Sequence, residues 1–166
     1  MAVLVSIPAL GLALIVQTAI LSRINLLSGS ADLILLVVAG WGLQVRSRSA
    51  WVWAALAGLL VGYVSALPMF APVAGYLIVM GLARLLQRRI WQAPLLAMFA
   101  VTFAGTLAMQ LIAYVTLWLL GSPLPLGDSF SQVILPSALL NLLLSIPVHA
   151  LMRDLARWLH PREAEA

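Results

Sequence analysis

The amino-acid sequence predicts an all-α integral membrane protein, a compact bundle of about six transmembrane helices. Of its 166 residues, 64% are hydrophobic and only 8% are charged, whereas about a quarter of the residues in a soluble domain are charged. Lipid must therefore solvate most of the surface, and in lipid only helices and closed barrels satisfy every backbone hydrogen bond. The apolar runs are continuous rather than alternating, which favours helices.

Six apolar segments approach the length of about 20 residues that a spanning helix needs. They cover residues 3–21, 31–45, 51–67, 71–86, 91–120 and 133–152. Short connections rich in Gly, Ser and Pro join them, so we expect one transmembrane bundle over residues 1–152. Residues 153–166 form a polar tail that we expect to begin as helix, with Asp154 and Arg157 one turn apart. The first segment lacks a basic leader and a cleavage site, so we interpret it as a retained span.

The second segment is the shortest, with about 15 apolar residues at the lower limit for crossing a membrane. A re-entrant segment in its place would leave five spans. We favour six, because a broken segment must be enclosed by protein, and a chain of this size has little protein to enclose it.

The basic residues indicate orientation. All nine are Arg, and they lie at segment ends, so we attribute the pI of 10.7 to membrane topology and expect no nucleic-acid partner. Three segments on one side carry most of them: Arg46, Arg48, Arg84, Arg88, Arg89, Arg153, Arg157 and Arg162. The positive-inside rule places that side, and with it both termini, in the cytoplasm.

Tryptophans lie near the ends of the predicted spans. We interpret them as an aromatic belt at the membrane interfaces. Five are near the predicted cytoplasmic side, and the sixth is near the outer side: Trp41, Trp51, Trp53, Trp91, Trp158 and, at the outer side, Trp118.

No pattern of catalytic residues occurs. The chain has no cysteine, and it contains no paired carboxylates, HExxH, P-loop or GxSxG. His149 is predicted to be a packing residue, and His160 is too far along the chain to form a helical metal-binding pair with it. We therefore expect no enzyme activity, no cofactor and no metal site.

Polar residues inside the spans are the candidate functional groups. Asp32 opens the second segment, where its carboxylate can cap the helix N-terminus. An alternative is a buried ion pair with Arg23 that holds the first loop against the second span. Gln17, Gln110 and Asn141 are amides in apolar surroundings, so we expect interhelical hydrogen bonds worth about 0.6–2 kcal/mol each. A ligand site within the bundle is the alternative.

Small residues and prolines add two further patterns. Gly58 and Gly62 form a GxxxG motif in the third segment, which suits close helix packing, either within the bundle or with a partner. Pro136 and Pro147 flank Asn141 in the last segment. Pro136 lies near the helix start, where its missing N–H costs little, and Pro147 predicts a kink near the helix end.

Residues 17–23 (QTAILSR), 30–36 (SADLILL) and 135–141 (LPSALLN) are three stretches that resemble the MreD family. The first two look like its start, where Gln-Ser/Thr near the end of span one precedes a Pro/Ala-Asp-Leu run. Residues 135–141 (LPSALLN) with Pro147 are similar to its proline-Asn-proline ending, and length, span number and basic tail also fit. The sequence departs at Ser65-Ala66, where the family often has an Asp after its GxxxG.

The resemblance implies a non-enzymatic membrane scaffold of the bacterial cell-elongation machinery in the inner membrane. Its implied partners are MreC, the RodA glycosyltransferase, a class B penicillin-binding transpeptidase, MreB filaments at the cytoplasmic face, and membrane lipid. The family is also similar to the S components of energy-coupling-factor transporters. The alternative is therefore a vitamin-binding transport subunit, in which Ala9 and Ala13 of the first span would dock a coupling subunit.

Overall fold

The computed structural model describes residues 2–20, 29–44, 49–89, 93–122, 127 and 130–159. All the regular elements in these residues are helices, which confirms the predicted all-α class. The helices are α1 (Ala2–Ala19), α2 (Leu33–Gly42), α3 (Ala50–Val64), α4 (Phe70–Arg89), α5 (Pro94–Leu119) and α6 (Leu135–Leu159), and a π-helical turn (Phe130–Ile134) leads directly into α6.

Three helical segments of the described chain are long and apolar enough to cross a membrane: Phe70–Gln87, Pro94–Leu119 and Phe130–Leu159. The helices Leu4–Ala19, Leu33–Gly42 and Ala50–Val64 are apolar but shorter. Large apolar side chains cover the outside of the bundle, such as Leu4 on α1, Tyr63 on α3 and Leu143 on α6, which are 74%, 86% and 69% exposed. A surface of this kind suits lipid and not water, so the chain is a membrane protein.

The short helix α2 is the centre of the bundle. It contacts each of the other five helices, and its residues from Ile34 to Gly42 are buried. With 10 residues, it is about 15 Å long, half the thickness of a hydrocarbon core of about 30 Å. The expectation that so small a chain has too little protein to enclose a short segment is therefore wrong.

The helices alternate in direction. The C-terminal part of α1 lies beside the start of α2, where Gln17 contacts Ile34. The end of α2 lies beside the start of α3, because Trp41 stacks on Trp53. The ends of α2, α4 and α6 line one cleft together with the start of α5. The first helix therefore begins, and the last helix ends, at the same end of the bundle. We call this the basic end, since Arg84, Arg153 and Arg157 lie there.

Two tryptophans contradict the interpretation as an interface belt. Trp41 and Trp53 are fully buried, and their rings stack with centroids 4.4 Å apart. They form part of the hydrophobic core at the basic end. Trp51, Trp118 and Trp158 are exposed, as a belt requires, and Trp91 lies outside the described residues.

The last helix is longer than the predicted span. α6 continues through Met152, the predicted bundle boundary, to Leu159. Arg157 lies 3.9 Å from Asp154, which confirms that the tail begins as helix; residues 160–166 lie outside the described chain. The π-helical turn ends at Ile134, two residues before Pro136, whose nitrogen has no hydrogen to donate. Pro147 lies inside α6.

The small-residue motifs serve packing inside the bundle. A Cβ atom on Gly58 would lie 2.5 Å from the Val73 Cα atom, and one on Gly62 would lie 3.1 Å from Met69. The GxxxG motif therefore lets α3 approach α4 closely. Ala13 is buried in the core, and Ala9 packs against it, so this face of α1 is occupied as well.

The close approach of α3 and α4 predicts that one methyl group added at Gly58 destabilises the protein. We expect Gly58→Ala to destabilise the protein by about 1–3 kcal/mol, because the new Cβ meets backbone that cannot move aside alone. Gly81→Ala is the matched control, since a Cβ there has its nearest neighbour at 3.9 Å. Equilibrium unfolding by dodecyl sulfate in mixed micelles measures both. Equal stability of the two variants would contradict the packing described.

Candidate functional site

A polar network surrounds the first turn of α2. Asp32 is the N-cap residue of α2, and its Oδ1 atom accepts a hydrogen bond of 2.9 Å from the backbone N–H of Leu35. This confirms the predicted capping role. Because α2 begins inside the protein and not at its surface, its free N–H groups have little water to bind, and each needs a protein partner.

Side chains from the first and last helices supply two more partners. The Oδ1 atom of Asn141 on α6 accepts a hydrogen bond of 2.7 Å from the Asp32 backbone N–H. The Oε1 atom of Gln17 on α1 accepts one of 3.2 Å from the Ile34 N–H. The predicted interhelical hydrogen bonds of Gln17 and Asn141 are confirmed, and both end at the same turn.

The carboxylate of Asp32 has a further partner on α4. The Tyr76 hydroxyl donates to both carboxylate oxygens, at 3.1 Å and 3.0 Å, and Tyr76 is fully buried. A buried Tyr hydroxyl normally requires a partner. Arg23, the partner suggested by the sequence, lies outside the described residues.

The amide group of Asn141 extends the network to α5. Its Nδ2 atom donates to the Thr106 Oγ1 atom at 2.9 Å, and the Thr106 hydroxyl donates to the Thr102 carbonyl at 2.8 Å. Asn141 is 1% exposed, so this side chain joins α2, α5 and α6 from inside the bundle.

The chain segment before α2 lies directly against the start of α6. The Ser30 N–H donates to the Ser137 Oγ atom at 3.1 Å. A Cβ atom on Gly29 would lie 2.6 Å from the Ser137 nitrogen and 2.7 Å from the Pro136 Cβ atom. Only glycine fits this approach, which brings Pro136 and Ser137 into the network.

A cavity of about 300 Å³ adjoins the network. Its polar lining comes from α1, α5, α6 and the segments around α2 and after α3: Gln17, Ser30, Asp32, Ser65, Thr106, Gln110, Ser137 and Asn141. Within the described part of the chain, the Gln110 side chain and the Gln17 amide nitrogen form no hydrogen bond. The cavity can therefore hold water or a small polar molecule that bonds to these amides.

The structure brings half of the predicted site residues together. Gln17, Asp32, Pro136 and Asn141 meet at the start of α2, whereas Gly58 and Gly62 lie in helix packing elsewhere. Pro147 lies on the exposed side of α6. The sequence analysis missed Tyr76, Thr106 and Ser137. Tyr76 offered one signal, since a Tyr in the middle of an apolar segment needs a partner for its hydroxyl.

The side chains of the network are one carboxylate, amides and hydroxyls. Among the residues that the structure describes, no three His, Asp or Glu side chains come together in a way that could hold a metal ion. The carboxylate is bonded to a helix N–H and a Tyr hydroxyl.

The fold and the network define an α-helical membrane protein with a polar core around a half-length central helix. A scan against protein-family models, a search of curated proteins and a search of solved structures found no match to the chain.

The contact between Tyr76 and Asp32 predicts that removing the Tyr76 hydroxyl lowers the free energy of unfolding measurably. We expect Tyr76→Phe to destabilise the protein by about 1–3 kcal/mol, because the buried carboxylate loses a hydrogen-bond donor. Tyr63→Phe removes the same hydroxyl from a side chain that is 86% exposed and should change stability by less than about 0.5 kcal/mol. Dodecyl sulfate unfolding compares the two. Two equal, small losses would show that the hydroxyl does not hold Asp32.

Proposed function

We propose that this protein is a non-enzymatic membrane scaffold of the bacterial cell-elongation machinery, as its resemblance to the MreD family suggests. In this proposal it binds the membrane span of MreC and supports the peptidoglycan synthase formed by RodA and a class B penicillin-binding transpeptidase. MreB filaments lie at its cytoplasmic face.

The observation that carries the proposal is the convergence of the residues on which the resemblance rests. Gln17, Asp32, Pro136 and Asn141 come from both ends of the sequence, yet they meet around one helical turn. If the similarity were only a chance likeness between apolar segments, the matching residues would not be expected to contact one another. The convergence supports the view that these positions form a structural core of the kind a family shares.

The alternating helix directions support a bundle of six spans. Four residues, 29–32, precede the 10 residues of α2; extended, they add about 13 Å to a helix of about 15 Å. The two parts together approach the thickness of the hydrocarbon core, about 30 Å. In this proposal α2 completes a broken span inside the bundle. The basic end, where α1 begins and α6 ends, faces the cytoplasm of the inner membrane, and we propose that both termini are cytoplasmic.

The partner would dock on a face of large apolar side chains. The small-residue motifs are occupied inside the bundle, so they are not free for MreC. Exposed leucines recur along one side of α6 at Leu139, Leu143 and Leu151, which are 60%, 69% and 62% exposed. Such a face can pack against a single apolar helix by shape alone, as helices do within lipid.

A pull-down tests the scaffold role. The tagged protein is extracted from its native membranes in mild detergent, and mass spectrometry identifies the proteins that co-purify. We expect MreC and the elongation synthase. Their absence, while an unrelated tagged membrane protein recovers its own partners, would refute the role.

Cysteine cross-linking then tests the docking face. The chain has no cysteine of its own, so single substitutions report one position each. We expect Leu143→Cys to form an adduct with a cysteine placed in the MreC span. Val38→Cys, fully buried in α2, is the negative control. Adducts from Val38→Cys as strong as those from Leu143→Cys would contradict a surface docking site.

The cavity favours a second candidate, a vitamin-binding transport subunit. Binding sites for small molecules are concave and combine apolar walls with a few convergent polar groups. The cavity of about 300 Å³ brings together polar side chains that looked scattered in the sequence. Against this candidate, Ala13 is buried in the core and Ala9 is partly buried against it, so this small-residue face of α1 is largely occupied.

Calorimetric titration with thiamine, riboflavin and biotin tests this second candidate. A submicromolar dissociation constant that Gln110→Ala raises at least about tenfold would support it. Gln87→Ala, at the basic end, is the control substitution. No binding at any concentration up to the millimolar range would exclude it for these vitamins.

A further inference from the structure

A second cleft, of about 460 Å³, opens at the basic end of the bundle. The ends of α2, α4 and α6 and the start of α5 form its walls, and its lining includes Gln44, Gln87, Leu95, Ile146, His149 and Arg153. The cleft lies at the opposite end of α2 from the polar network, so a ligand bound there does not depend on the proposed scaffold role.

One buried side chain in this cleft has an unused polar atom. His149 is 7% exposed, and its Nδ1 atom is buried without a hydrogen-bond partner in the described chain. Burying such a group without a partner costs free energy. Because His149 also lines the cleft, a molecule bound there lies next to this unsatisfied side chain.

Positive charge and a helix N-terminus lie beside the same space. Arg153 lies one helical turn after His149 and lines the cleft. Arg84 is close by, because its Nη1 atom donates to the Gln87 Oε1 atom at 2.9 Å. The first turn of α5 also lines the cleft, and its N-cap residue Ala93 forms no side-chain cap. An uncapped helix N-terminus favours an anion.

Of the acidic groups that the structure describes, Asp154 is the nearest to the cleft, and it leaves the cleft positive. Asp154 lies 3.7 Å from the Arg153 Nε atom, and both side chains are more than half exposed. An exposed pair of this kind is weak. Asp154 does not line the cleft, so it does not repel an anion inside it.

The apolar walls of the cleft continue onto the outer surface of the bundle. Leu95 and Ile146 line the cleft and are also 47% and 50% exposed. Leu96 adds to this apolar surface on α5, with 59% exposure. This apolar surface suits the acyl chains of a lipid whose headgroup lies in the cleft. A free inorganic ion has no apolar part that could contact it.

We propose that the cleft is a binding site for an anionic phospholipid, whose phosphate contacts Arg153, His149 and the start of α5. Its acyl chains lie along Leu95 and Ile146. Basic pockets between helices bind lipid phosphates in this way in other membrane proteins. The lipid would hold α5 and α6 together at the end of the bundle where the network around α2 does not reach.

Native mass spectrometry of the full-length protein tests the proposal. The protein in neutral detergent is titrated with dioleoylphosphatidylglycerol, dioleoylphosphatidylcholine or inorganic phosphate. We expect phosphatidylglycerol to bind at least about fivefold more tightly than phosphatidylcholine, and phosphate alone to bind too weakly to detect. Equal binding of the two lipids would overturn the proposal. Phosphate binding as tight as that of phosphatidylglycerol would overturn the assignment to a lipid.

Two arginines on the same helix provide the matched comparison. Arg153→Gln should weaken phosphatidylglycerol binding about fivefold, whereas Arg157→Gln should leave it within about twofold, because Arg157 lies outside the cleft lining. Both side chains are exposed, so neither change should prevent folding. Equal losses in the two variants would show a diffuse effect of surface charge and overturn the site.

A third variant tests the path of the acyl chains. Ala150 lines the cleft, and Ala150→Phe fills part of it while keeping every charge. We expect it to weaken phosphatidylglycerol binding at least about fivefold. Unchanged binding, in a variant whose thermal unfolding matches the wild type, would show that the lipid does not enter the cleft.

Discussion

The fold depends on one constraint: the first turn of α2 lies inside the bundle, where its N–H groups must find partners in the protein. In a membrane-embedded core each unpaired backbone group costs several kcal/mol. The Asp32 carboxylate, the Asn141 amide and the Gln17 amide accept hydrogen bonds from three of these groups. Because the three acceptors come from different elements, the N-cap of one short helix also fixes where α1 and α6 lie.

The other polar contacts follow from this arrangement. A carboxylate placed at a buried N-cap needs further hydrogen bonds, and Tyr76 supplies them from α4. An asparagine that accepts from α2 has its own N–H groups to place, and Thr106 on α5 receives one. The network therefore reaches four of the five helices that surround α2. The fifth, α3, is held by close packing at Gly58 and by the stack of Trp41 on Trp53.

The sequence predicted the all-α class, the positions of the helices and the local roles of the polar residues. The cap at Asp32 follows from its place before an apolar run, and an amide such as Asn141 must find a partner within lipid. The central position of α2 did not follow, because its residues are hydrophobic on every side. In a membrane such a helix can face lipid or protein equally well. The short length of the helix, rather than its composition, distinguishes a helix enclosed by protein from one that faces lipid.

Contacts between residues far apart in the chain could not be predicted from the sequence for a similar reason. Nothing local to Tyr76 shows that its hydroxyl reaches a carboxylate 44 residues earlier. Trp41 and Trp53 lie near helix ends, where tryptophan commonly faces the interface. In the structure, however, both side chains are buried in the core of the bundle. The GxxxG motif at Gly58 and Gly62 predicted close packing without its partner, and the structure assigns that partner to α4.

Amide hydrogen exchange in the first turn of α2 tests the central claim most directly. First-turn amides of a helix usually exchange fast because they lack intrahelical partners. NMR of the protein in detergent micelles compares the Asp32, Ile34 and Leu35 amides with those of Trp51 and Val52 in α3, whose N-cap forms no side-chain hydrogen bond. We expect the α2 amides to exchange at least about a hundredfold more slowly. Equal rates in the two first turns would contradict the account.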